Sequence, residues 1–342
     1  LPATVRSLRL ATRDLAESRR KARAGSKPNA TSPAEMHHLI SSHMVLFRET
    51  DPPQQSDWDL PKLAHAHRRH HRGCNPGCYS HGILGLLRHG LRLPEPGSLS
   101  PVAPEVYELK ETDMSILRQE TEAQLRRGSI RRVGDETTLK SPPFIVTKLV
   151  TNPDRPSEQR PKHRVCVDYT ASGLNDSLPD LPFAYAKLQD LTSRLGFGAF
   201  LNKWDLRKGY EQIPVAAPSQ HLLSFRLQGE EEVYQYLPVP FGLKIAPAIF
   251  SLVTAELRQI ADFETRHLLP HINIYSSVYL DDFALIVKGE KEDAQRAHDT
   301  YLKAMTALGA KFASDKAEGP TQALEYLGIW IDSNSKIGRA HA

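Results

Sequence analysis

The sequence predicts an α+β fold in which helices pack on one face of an antiparallel sheet. Two observations carry that expectation. From about residue 141 onward, short β-prone apolar runs alternate with amphipathic helical patterns. Several of those runs come in pairs joined by turn residues, which is the pattern of hairpins. The chain has 342 residues, 40% hydrophobic and 25% charged, with a formal net charge of +4. That composition is globular, and its mild basicity permits a nucleic-acid partner. Three cysteines, Cys74, Cys78 and Cys166, exclude a disulfide framework and favour a reducing, intracellular setting, cytoplasm or nucleus. No apolar run reaches the length of a membrane span and no signal peptide opens the chain, so no membrane partner is expected. Leu1 in place of Met reads as the start of a fragment.

Residues 1–103 are rich in Arg, His, Ser and Pro with weak apolar periodicity, and read as a poorly ordered basic region. Within it, residues 6–23 suggest a basic helix and residues 34–47 a weak one. Helical spacing covers residues 104–127 through Val106, Leu109, Met114, Ile116, Leu117 and Leu125. Residues 144–148 and 164–169 read as strands, with the Pro- and charge-rich segment 151–161 as the loop between them. Residues 188–195 suggest a helix, and residues 200–205 a strand. Runs at 224–227 and 233–237 flank Gly229 as a hairpin. Helices follow at 247–260 and 294–308, and short strands at 311–312 and 326–331.

The run Val278-Tyr279-Leu280-Asp281-Asp282-Phe283-Ala284-Leu285-Ile286-Val287 places two carboxylates between apolar flanks. A hairpin carrying Asp281 and Asp282 at its tip satisfies both halves of that pattern. An inert Asp-Asp turn is the common alternative. Carboxylates drawn into an apolar setting need neutralising, and a divalent cation does so economically. Two-metal phosphoryl transfer needs carboxylates that hold two ions about 4 Å apart. Asp205, at the end of the 200–205 strand, is the best candidate for a third acid.

The company these acids keep is specific. Asp205-Leu206-Arg207-Lys208-Gly209-Tyr210 is followed by Leu237-Pro238-Val239-Pro240-Phe241-Gly242-Leu243-Lys244-Ile245-Ala246-Pro247, and then by Tyr279-Leu280-Asp281-Asp282. In order and spacing these motifs resemble the reverse transcriptases of retroviruses and LTR-type retrotransposons, over residues 141–331. Extra residues near Gly173 leave room for the tyrosine-recombinase retroelements as well.

The resemblance implies a right-hand polymerase fold, with fingers over about 104–200, a ferredoxin-like palm over about 200–336 and a truncated thumb. It implies an RNA-directed DNA polymerase that joins a deoxynucleotide to a primer 3′-hydroxyl on an RNA or DNA template. Two Mg²⁺ ions, with Mn²⁺ as a substitute, would sit on Asp205, Asp281, Asp282 and the Leu206 carbonyl. Lys316 would protonate the leaving diphosphate. Lys148 and Arg164 would grip the triphosphate, Phe241-Gly242 would lie against the incoming nucleotide, and Tyr210 would be the sugar gate. Tyr279, Leu327 and Gly328 would contact primer and template. Ile245 and Thr170 depart from the family's usual Asn and Arg.

Two other functions compete. An RNA-dependent RNA polymerase shares the palm, but an aromatic at Tyr210 crowds a 2′-hydroxyl. A domesticated, inactive domain that only binds nucleic acid would keep the basic residues without turnover. Cys74 and Cys78 have a spacing zinc tolerates, yet no second ligand pair does, so a basic, His-rich segment is the preferred reading there. Residues 337–342 are set apart as a candidate non-native tail, and oligomeric state is left open.

Overall fold

The computed structural model describes residues 40–41, 44–70, 79–94, 107, 109–134, 139–152, 155–181, 183 and 185–335. The expected helix over 6–23, the Cys74–Cys78 pair and the tail 337–342 lie outside these residues.

Three helices come first: α1 (Leu60–His70), α2 (Tyr79–His89) and α3 (Glu111–Arg126). Glu111 and Asp113 stand in the first turn of α3 and Arg126 in the last, a charge order that suits the helix dipole. Next come β1 (Ile130–Val133), β2 (Pro143–Asn152), β3 (Arg155–Val167), β4 (Phe200–Asp205), β5 (Ser224–Arg226) and β6 (Val233–Tyr236). Helix α4 (Ala246–Leu268) precedes the hairpin β7 (Asn273–Tyr279) and β8 (Asp282–Lys288). Helix α5 (Lys291–Ala307), β9 (Glu318–Thr321), β10 (Ala323–Tyr326) and β11 (Ile329–Asp332) complete the order. Short helical turns occupy Leu174–Ser177, Leu188–Thr192, Gly209–Gln212 and Ala217–Gln220.

The central layer is a four-stranded antiparallel sheet in the order β7-β8-β4-β9. Its inner strand β8 is apolar on both faces because both faces are covered. From β8, Phe283, Leu285 and Val287 enter the core shared with the helices, while Ala284 and Ile286 join Leu324, Tyr326 and Ile331 of the β10–β11 hairpin. Helices α4 and α5 cover the first face. On α5, Ala294, Ala297, Tyr301 and Met305 form the buried stripe that helical periodicity requires. Tyr301 stacks on Trp204 of β4 with centroids 5.5 Å apart and planes 6° from parallel. Both rings are fully buried, so truncating Trp204 to alanine costs about 3–5 kcal/mol. Helix α4 carries Pro247 in its first turn, where a missing N–H is harmless.

A second antiparallel sheet has the order β1-β6-β5, and β2 and β3 form a separate two-stranded ribbon. That ribbon corrects one expectation. Residues 151–161 are not a loop, because pairing continues from Pro143↔Val167 out to Asn152↔Arg155. Both strands of an isolated ribbon have a free edge, so Pro161 can pair opposite Leu149 without breaking an inner ladder. Residues 311–312 form no strand; Phe312 makes a single bridge to Leu206.

The early segment is packed into this body. Met44, Leu46, Trp58, Leu63, Ile83, Leu86, Leu87, Leu91 and Leu93 are all buried in the same core cluster as Trp204 and Phe283. Residues 44–47 of the expected 34–47 helix have no regular structure. Among the described residues, no helix is long and apolar enough to cross a membrane.

Candidate active site

The β7–β8 hairpin turns at Leu280 and Asp281. Leu280 has φ of +55°, a left-handed conformation that costs a bulky side chain about 1–3 kcal/mol and gathers at functional sites. In the neighbouring ladder Asp205 is the direct partner of Asp282. Strand alternation then puts both carboxyls on the face away from α4 and α5, since Trp204 and Phe283 point into the helices. Asp281 is tied in by its carbonyl, which accepts a bond of 3.0 Å from the Leu206 amide. Leu206 itself is buried on the helical side.

Crowding shows in the electrostatics. Burial, and then the neighbouring Asp205 carboxylate, push Asp281 above the ordinary carboxylate range. Burial, followed by Asp281 and Asp205, pushes Asp282 up to about 6. Lys316 relieves part of this repulsion, with its Nζ 2.6 Å from Asp205 Oδ2. Asp205, Asp282 and Lys316 share a cleft of about 460 Å³ with Lys203, Tyr326 and Gly328. The Leu327-Gly328 turn of β10–β11 closes one side of it, and the Tyr326 hydroxyl donates to the Asp282 carbonyl at 2.9 Å.

Tyr210 packs beside this centre. Its ring lies 5.1 Å from that of Phe241 and 5.0 Å, edge-on, from that of Phe250. Burial first, then nearby Tyr185 and Asp281, raise its phenol well above the ordinary value. Arg164 reaches over Phe241 at 5.6 Å from the ring centroid and lowers the cost of charge on Asp281. Gly242 has φ of +101°, and a Cβ there would meet the Val167 carbonyl oxygen at 2.1 Å. Only glycine fits that approach.

Lys148 stands further out. It pairs with Lys162 while Arg164 pairs with Val146, so alternation puts Lys148 and Arg164 on one face of the ribbon. Tyr279 ends β7 and stacks on Tyr185, centroids 4.6 Å apart.

Some residues near the site carried no recognisable sequence signal for a role. Asn175 donates to the Gly242 carbonyl at 2.9 Å and accepts from the Lys244 amide at 2.8 Å, clamping the glycine turn. Tyr185 follows a Pro-rich stretch with no periodicity.

A model of the family described as reverse transcriptase (RNA-dependent DNA polymerase) matches residues 159–331. The chain belongs to the reverse transcriptase family. The matched segment of this reverse transcriptase family member includes Arg164, Asp205, Tyr210, Asp281, Asp282, Lys316 and Gly328, and leaves out Lys148. The chain is also similar to the retrovirus-related Pol polyprotein from transposon 297 of Drosophila melanogaster, 27% identical over 67% of this chain and 20% of the polyprotein. Similarity to the Pol polyprotein from transposon gypsy of the same species is 26% over 68% of this chain and 21% of that one. An enzymatic polyprotein of figwort mosaic virus is 25% identical over 59% of this chain and 27% of its own length. The reverse transcriptase segment thus spans about a fifth to a quarter of these relatives.

The donor set suits a hard divalent cation, because carboxylate oxygens that repel one another gain most from shared positive charge. Among the described residues no three His, Cys, Asp or Glu side chains already form a metal cage. Asp205 instead spends one oxygen on Lys316.

Proposed function

We propose that this reverse transcriptase family member is an RNA-directed DNA polymerase that extends a primer 3′-hydroxyl with deoxynucleotides on an RNA or DNA template. The observation that carries the reading is the Asp205–Asp282 register, with Asp281 in the adjoining turn. The β7-β8-β4-β9 sheet with α4 and α5 is read as the palm, and the β2–β3 ribbon as part of the fingers.

Asp205, Asp281, Asp282 and the Leu206 carbonyl would hold two Mg²⁺ ions, with Mn²⁺ able to replace them. When bound, the ions lower the charge cost at the attacking and leaving oxygens. The protein's residues supply the rest. Lys148 and Arg164, on one face of the ribbon, bind the triphosphate, Lys as a point charge and Arg as a fork. Phe241 and Gly242 set the floor for the base and sugar. Tyr210, held between Phe241 and Phe250, leaves a deoxyribose room and crowds a 2′-hydroxyl. Tyr279 and the Leu327-Gly328 turn position primer and template beside the cleft. The new bond joins the 3′-oxygen to the α-phosphorus as the α–β bridging bond breaks. The 3′-hydroxyl proton leaves to solvent, and Lys316 Nζ gives a proton to the departing diphosphate.

Primer extension on RNA and DNA templates with Mg²⁺ and dNTPs tests the reading, wild type against Asp281→Asn. Extension by the wild type that the substitution abolishes supports it. Equal extension by both proteins overturns the assignment of the acids. No extension under either template would leave a nucleic-acid-binding domain.

A further inference from the structure

Residues 44–70 and 79–93 lie outside the segment matched to the family, yet they bond directly to the backbone that carries Tyr210. Four hydrogen bonds fall within the eight residues 212–219. Trp58, only 7% exposed, donates from Nε1 to the Gln212 carbonyl at 2.6 Å. The Leu91 amide donates to the Pro214 carbonyl at 2.8 Å, and Leu91 returns its own carbonyl to the Ala216 amide at 3.0 Å. This is a parallel strand-like bridge, Leu91 with Val215. The Leu93 amide then donates to Ser219 Oγ at 3.0 Å. Gly90 lets the two chains meet, since a Cβ there would come within 2.4 Å of the Ala216 nitrogen.

Gln212 is where this outer layer joins the candidate site. Its side-chain nitrogen donates to the carbonyls of Arg207 and Lys311, at 2.9 and 3.0 Å, and its Oε1 accepts from the Lys311 amide at 3.1 Å. The Arg207–Lys311 backbone bond, 2.9 Å, closes the same ring. The turn from Asp205 to Gln212 is thus locked from within by Gln212 and from outside by Trp58. Tyr210 sits in that turn, two residues before Gln212.

We propose that Trp58 is a positioning residue for nucleotide selection, and that residues 44–70 and 79–93 form a brace that fixes the height of the Tyr210 ring through the Gln212 carbonyl. Trp58 touches no substrate. It acts through a part-buried main-chain acceptor, whose loss of a donor frees the turn to shift. Small displacements of a positioning group cost catalysis far more than they cost stability. The proposal rests on Tyr210 serving as the sugar gate.

The test uses the full chain and Trp58→Phe, which keeps an aromatic ring and removes the donor. The readout is the ratio of kcat/KM for a dNTP over the matching rNTP. It should fall about tenfold, mostly through KM for the nucleotide. Hydrogen exchange at the amides of Ile213, Val215 and Ala216, read without substrate, should speed up in parallel. A lower melting temperature with an unchanged ratio and unchanged exchange would show that Trp58 only fills core, and overturns the proposal. Trp58→Met, which loses the same donor and fills the site with a flexible apolar chain, is the second variant should Trp58→Phe fail to fold. An unchanged ratio in that folded variant overturns the proposal equally. Failure of the polymerase reading itself looks different: the wild type then extends no primer, while the exchange measurement still reports whether the brace holds.

Discussion

Asp205 and Asp282 face each other as register partners across the β4–β8 ladder, and Lys316 holds one of them at 2.6 Å. Two carboxylates so placed repel unless a cation intervenes. The first expectation is therefore a loss of activity without a loss of fold. Asp205→Asn and Asp281→Asn should each lower primer extension by about 100-fold or more, the loss of several kcal/mol of charge stabilisation. Circular dichroism and melting should stay close to wild type.

Stability should depend on pH through Asp282. Burial first and neighbouring carboxylates second raise its folded value to about 6 from an ordinary 3.8. Between those values the folded state holds a proton that the unfolded chain releases, so stability from this group falls as pH rises through the window. It is fully present below the lower value and gone above the upper one. Asp282→Asn removes that loss. With a chelator present, the variant's melting temperature should exceed the wild type's at pH 7–8, and the gap should close towards pH 4. A gap that widens on acidification refutes the assignment.

Metal affinity should follow the same group in the opposite sense. If Asp205 and Asp282 hold Mg²⁺ as proposed, the ion competes with the proton on Asp282 and with Lys316 for Asp205. Calorimetric affinity should weaken below about pH 6. Lys316→Ala should tighten Mg²⁺ binding while slowing turnover, a split that a purely structural lysine would not give.

Tyr210→Ala should admit ribonucleotides. The ring is wedged between Phe241 and Phe250, and its removal opens space where a 2′-hydroxyl would lie. Discrimination against rNTPs should fall by about 10-fold or more, while Tyr210→Phe keeps most of it. Matched single-nucleotide insertion kinetics check both.

Gly242→Ala should destabilise the fold by about 2–4 kcal/mol, since the new Cβ collides with the Val167 carbonyl and the φ of +101° strains any side chain. Asn175→Ala strips the clamp from the same turn and should cost about 1–3 kcal/mol. Denaturant titration measures both.

How much of this was legible from residues follows from the physics of each signal. The 278–287 hairpin was readable because two β-prone apolar runs flank a turn-forming Asp pair, and the accompanying motifs, not the pair itself, set it apart from an inert turn. Helices were expected at 247–260 and 294–308; the second matches 291–307 through its buried stripe, while the first runs on to Leu268, eight residues beyond the expected end. The β2–β3 ribbon was misread as strands with a long loop because Pro156, Pro161 and the charged residues around them look like a connection; a ribbon with two free edges tolerates both. The packing of residues 44–70 and 79–93 was hidden because the frequent Arg, His, Ser and Pro around them mask the short apolar run at 83–93, and Trp58 and Leu63 join it only in space. Asn175 and Gln212 stand in runs that carry the resemblance, but their clamping bonds to Gly242, Lys244 and Lys311 join backbone far away in sequence and leave no local pattern.

Strand β8 bears on all of this in one further way. Phe283, Leu285 and Val287 fill the helical layer, and Ala284 and Ile286 fill the hairpin layer. A slide of one residue would exchange the two sets and drive the Asp282 carboxylate toward Trp204 and Tyr301, at a cost of several kcal/mol. The strand thus proofreads its own pairing: misaligned chains cannot close either layer. A single-residue deletion anywhere in β8 should leave an unfolded protein and not a folded, inactive one.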